Sequence, residues 1–163
     1  MDSNYSILLL ENTKKRLNIL KAELLLMIDE KNNFANDCAK ADSNLINKGL
    51  LNLEFVKMEN EIKNKQDQIE RVKRVVMSYE YDLYREFWVN GELVLWDHKG
   101  LHYFRNNKNH VYSQNPIKWI GVYVEADDMI DMDAEEPDEM PPLVSTIYLN
   151  WTCDGTTDCL CNK

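Results

Sequence analysis

Three thiols close the chain: Cys153-x5-Cys159-x-Cys161. Thiolates at close spacing are zinc ligands in waiting, and a fourth ligand could come from His98, His102, His110 or another chain. Structural zinc sites use paired C-x2-4-C spacings, however, and this tail does not match them. The expectation is therefore a chain without a cofactor, with structural zinc at Cys153, Cys159 and Cys161 as the alternative.

The three histidines sit close together in sequence, and Asp97 precedes His98. A carboxylate orienting an imidazole is the core of acid–base catalysis. Neighbouring residues of a strand point to opposite faces, so Asp97 is badly placed to orient the His98 ring. No G-x-S-x-G, H-E-x-x-H, Gly-rich phosphate loop or EF-hand pattern occurs in the chain. No set of nucleophile, base and orienter can be assembled, and the expectation is a non-enzymatic protein.

The stretch Tyr103-Phe-Arg-Asn-Asn-Lys-Asn-His-Val-Tyr112 interleaves aromatic, amide and basic groups. Such a face suits partner binding, with Arg105, Lys108 and the nearby Trp119 as its candidate contacts. The same features can stack the bases of a single-stranded nucleic acid, which is the alternative reading. Charge weighs against that alternative. The net charge is −9, and residues 125–142 hold nine acids and no base, leaving the remainder neutral. A chain that works by neutralising phosphates would be basic. The acidic run reads as a solvated loop, with a basic protein as the partner it would attract.

These groups need a scaffold, and the first half of the chain supplies a helical one. All four prolines fall after residue 115. Pro in a helix interior costs about 3 kcal/mol, so the long Pro-free stretch permits long helices. Leu17, Leu20, Leu24, Met27, Lys31, Phe34, Cys38, Ala41 and Leu45 are spaced alternately three and four apart. So are Leu51, Phe55, Met58, Ile62, Lys65, Ile69, Val72, Val76, Tyr79 and Leu83. This is the heptad signature of a helix–helix seam. The two runs are out of phase, and Gly49 lies between them, so a break is expected there. The outcome is either a helical hairpin or one bent helix paired with a second chain. Lys31 and Lys65 occupy seam positions, where a long stem packs and its charge either reaches water or selects a partner.

After Tyr84 the texture becomes that of strands. Glu86–Val89 and Glu92–Trp96 flank Asn90-Gly91, a hairpin signal. Further strands are expected at 101–104, 110–113 and 117–124, with a last one at 143–151 after the acidic loop. The expected fold class is α+β: long coiled-coil-like helices followed by a small antiparallel β-meander. The expected parts are a helical arm (1–84), a β-domain (85–151) and a Cys-containing tail (152–163). In architecture only, a long coil with a small β-rich head resembles chromosome-attachment and scaffold proteins.

The functional expectation is a structural or adaptor protein. It oligomerises with itself or with a helical partner through its arm, along the seam Leu17, Leu20, Leu24, Met27, Phe34, Leu51, Phe55, Met58, Ile62, Ile69, Val72 and Val76. Its β-domain docks a partner. No apolar run reaches the ~20 residues that a membrane span needs, and no secretory leader is visible, so an intracellular location, cytoplasmic or nuclear, is expected. The Asn-, Lys- and Ile-rich composition fits an AT-rich coding sequence such as that of a viral or parasite accessory protein.

Overall fold

The computed structural model describes residues 3–40 and 45–142. Two long helices, α1 (Ser3–Lys40) and α2 (Leu45–Val89), precede five strands. The strands are β1 (Val94–His98), β2 (Leu101–Arg105), β3 (His110–Tyr112), β4 (Trp119–Val124) and β5 (Met129–Asp131). The fold is α+β, a helical hairpin and an antiparallel meander. The chain divides into two compact units, Leu8–Val76 and Met1–Ile7 with Met77–Lys163. Among the described residues no helix is long and apolar enough to cross a membrane.

The helical unit is an antiparallel pair. Lys31 reaches Glu59 at 2.9 Å and Lys65 reaches Glu23 at 2.8 Å. As the α1 partner steps back from 31 to 23, the α2 partner steps forward from 59 to 65, which only opposed helices allow. The heptad-spaced residues turn inward. Leu17, Leu20, Ile69, Val72 and Val76 are buried. Leu24, Met27, Phe34, Leu51, Phe55, Met58 and Ile62 are half-buried. Cys38 is half-buried on the same stripe with a free thiol. The seam lysines are half-buried and turn their ammonium groups to a glutamate of the opposite helix. The Lys31 ammonium also sits 4.8 Å from the Phe55 ring centroid. Such pairs contribute modestly at the surface, but they penalise a shifted register.

The break falls earlier than Gly49 suggested. Gly49 lies inside α2, with open space where a Cβ would stand.

A second correction concerns 86–89, which continue α2 and form no strand. Leu83, Tyr84 and Phe87 carry the helical spacing onward and are all buried. The burial of that face overrides the β-preference of Phe-Trp-Val. Asn90-Gly91 then ends the helix in place of turning a hairpin. The Glu92 amide donates to Phe87 O at 3.0 Å and the Gly91 amide to Trp88 O at 3.1 Å, the paired bonds of a Schellman cap. Gly91 has φ +78°, the left-handed conformation that this cap requires.

Each strand pairs antiparallel with the next, in the order β1-β2-β3-β4-β5. The β1–β2 turn places Lys99 and Gly100 at φ 51° and 80°, the two positive values of a type I′ hairpin. β4 begins at Trp119, two residues later than expected, after a cis Asn115–Pro116 peptide. The acidic run is also not one loop, because β5 lies within it and pairs with β4. The fit there is close: a Cβ on Gly121 would stand 2.2 Å from Asp131 O. The strand expected at 143–151 lies outside the described residues.

Candidate functional site

Alternation along the strands sorts the chemically capable side chains onto two faces of the sheet. The registers Val94↔Arg105 and Trp96↔Tyr103 place Trp96, His98, Tyr103 and Arg105 on one face. Leu93, Phe104 and Tyr112 form a buried cluster on the other, with Leu95, Ile117 and Trp119 packed against it.

The first face holds a cation among rings. Arg105, expected as a partner-binding residue, is wholly buried and cannot meet an outside ligand. Its guanidinium carbon lies 4.5 Å from the Trp96 ring centroid, 4.9 Å from Tyr123 and 5.2 Å from Trp88. The planar, weakly hydrated guanidinium suits this role, since it can lie against aromatic faces at a low desolvation cost. The aromatic–basic alternation that suggested base stacking is thus built into the interior.

Next to this cluster, His98 stacks on Trp96 at 4.7 Å and meets Tyr123 edge-on at 5.4 Å. Its Nδ1 lies 3.5 Å from Asp128 Oδ1. Tyr123 donates its hydroxyl to the same carboxylate at 3.0 Å, and Lys99 donates to the Asp128 carbonyl at 2.6 Å. Burial pushes the His98 pKa down, as do the Lys99 and Arg105 charges, while Asp128 opposes the shift. The Tyr123 hydrogen bond, aided by Lys99 and His98, holds the Asp128 carboxyl below its usual range. Burial raises the Tyr123 phenol, and its bond to Asp128 adds to the shift.

Asp97 does not orient His98. It faces its cross-strand neighbour His102, and the two are hydrogen-bonded. On the same side, the Trp119 indole N–H donates to His110 Nδ1 at 3.2 Å, so neutral His110 carries its proton on Nε2. Burial lowers the His110 pKa, with Lys108 adding to the effect. His98 thus faces Asp128, His102 faces Asp97, and His110 accepts from Trp119.

Lys108 lies at a cleft of about 390 Å³. Its walls are the α2 cap (Val89, Asn90, Gly91), the β2–β3 turn (Asn106, Asn107, Lys108, His110) and the segment from Pro137 to Pro142. Asn106 builds that turn. It is buried, and its Oδ1 accepts from the Lys108 and His110 amides at 3.1 and 3.0 Å. Asn109 follows in a left-handed conformation, φ 64°. The Asn107 amide donates to the Val89 carbonyl at 3.4 Å, linking turn to cap. At the far wall the Leu93 amide donates to Pro142 O at 2.9 Å. The cleft offers side-chain amides, one ammonium and one carboxylate beside Met140 and prolines. That mixture suits a peptide segment better than a compact metabolite.

Of the expected partner-binding residues, Lys108 lines this cleft, Trp119 is tied to His110, and Arg105 is core. Cys153, Cys159 and Cys161 lie outside the described residues. Among the described residues no group of three or more His, Cys, Asp or Glu side chains is arranged to hold a metal ion. Comparison with protein-family models, characterised proteins and solved structures finds no match to this chain.

Proposed function

We propose that this chain is a non-enzymatic adaptor that assembles through its helical arm and docks a protein partner through its β-domain. One observation carries the reading. The arm keeps a second set of large apolar side chains outside its own seam. Ile19, Leu25, Leu26, Leu50, Leu53 and Val56 are each more than half exposed. Scattered apolar residues are ordinary on a surface, but six on one hairpin whose seam is only half-buried over much of its length favour further helix packing. The cleft around Asn107, Lys108 and Met140 supports the docking half of the reading.

The test is the molar mass of the full-length chain by light scattering, in reducing buffer, over a tenfold range of concentration. A dimer or higher multiple of 19.2 kDa is expected. A strict monomer throughout would overturn the assembly reading.

A further inference from the structure

The outward side of α1 carries a stripe of its own. Asn12, Lys15, Ile19, Ala22, Leu26, Asp29 and Asn33 are spaced alternately three and four apart, and every one of them is exposed. The hairpin seam uses Leu17, Leu20 and Leu24, which are buried or half-buried. The outer stripe is thus a second heptad-spaced seam on the same helix, with nothing against it among the described residues.

Its chemistry reads nearly the same from either end: Asn, Lys, Ile, Ala, Leu, Asp, Asn. We propose that it pairs with the α1 stripe of a second copy, antiparallel, about a two-fold axis at Ala22. This rests on the assembly reading above and specifies its partner. A two-fold contact must be self-complementary, with residue i meeting j and j meeting i. Antiparallel pairing about Ala22 satisfies that at every position. Lys15 lies level with Asp29, Ile19 with Leu25 beside Leu26, and Asn12 with Asn32 beside Asn33, each twice. Ala22 meets Ala22 at the centre, where a small side chain lets helix axes approach closely. The contact runs from Asn12 to Asn33, about 30 Å at 1.5 Å per residue.

Charge fixes the direction. Lys14, Lys15 and Arg16 lie just before the apolar centre, and Asp29 and Glu30 lie just after it. Parallel copies would set base against base and acid against acid. Antiparallel copies set Lys15 and Arg16 of one against Asp29 and Glu30 of the other, at both ends. Leu25 flanks the centre and adds apolar surface to it.

The experiment is charge exchange in the full-length protein, with self-association followed by light scattering and helicity by circular dichroism. Lys15→Glu and Asp29→Lys should each weaken the dimer roughly tenfold, since each turns two attractive pairs repulsive. The doubly substituted chain should recover wild-type affinity. An equal mixture of the two single variants should also recover it, because each chain then supplies the charge that the other needs. A wild-type dimer whose affinity ignores both single substitutions would overturn this geometry and leave arm-mediated assembly standing. Single variants that weaken the dimer without rescue by the double would overturn it equally. A wild-type chain that stays monomeric would overturn both readings.

Discussion

Replacing Arg105 tests how the β-domain is held together. The side chain is wholly buried, with three rings between 4.5 and 5.2 Å of its guanidinium carbon. A desolvated cation–π contact contributes about 2 kcal/mol. Three rings share one cation, so the contributions do not add in full, and about 3 kcal/mol is a reasonable total. Truncation to Ala also empties the space of the stem, for a further ~1 kcal/mol or more. Arg105→Ala should therefore cost about 4 kcal/mol, a large part of the 5–15 kcal/mol typical of a folded domain. Arg105→Lys should cost about half as much, because a compact, strongly hydrated ammonium keeps the charge but not the planar contact. Urea unfolding read by tryptophan emission suits the question, since Trp88 and Trp96 are themselves two of the rings. A loss below about 1 kcal/mol for Arg105→Ala would refute the reasoning, as would a lysine variant no better than the alanine one.

Three further outcomes follow from the geometry. Gly91→Ala should destabilise the β-domain by about 1–2 kcal/mol through its positive φ alone, as the new Cβ finds only an ordinary 3.4 Å contact with Asn107; thermal unfolding by circular dichroism measures it. Gly121→Ala should push β5 away from β4, and hydrogen exchange should show faster exchange of the amides around Ile130 and Asp131 while those of β1 and β2 keep their protection. The lowered pKa values of His98 and His110 mean that the unfolded chain takes up protons more readily than the folded one. Their contribution to stability is complete above the ordinary histidine value of about 6.5 and is lost as pH falls through the lowered folded values. Urea midpoints should fall between pH 7 and pH 5, and a His98→Asn, His110→Asn double variant should show a flatter pH dependence over that window.

The helical seam was legible because its information is local and periodic. Leu17 to Leu24 and Ile62 to Val76 announce an inward stripe whatever they pack against, and a stripe is what the hairpin uses. The end of α2 was not legible from Asn90-Gly91. The same dipeptide serves a type I′ turn and a helix cap, because both require positive φ. What separates them is the next turn back, where Leu83, Tyr84 and Phe87 continue the helical spacing. The rejection of an Asp97–His98 pair followed from strand alternation alone. Their actual partners required knowledge of register: His102 is set by the Lys99-Gly100 turn, and Asp128 lies thirty residues beyond His98. Arg105 shows the limit most clearly. A basic residue among aromatics reads as a surface motif, and its burial depends on Trp88, Trp96 and Tyr123 arriving from three different elements.

The meander has a consequence for how the molecule is made. Every strand pairs with its immediate predecessor, from Val94–His98 through to Met129–Asp131, across connections of only two to six residues. Short loops close at small entropic cost, and folds made of near-neighbour contacts reach their native state quickly. During synthesis each new strand leaves the ribosome with its template already laid down beside it. The sheet can therefore grow one hairpin at a time, from β1 through to β5.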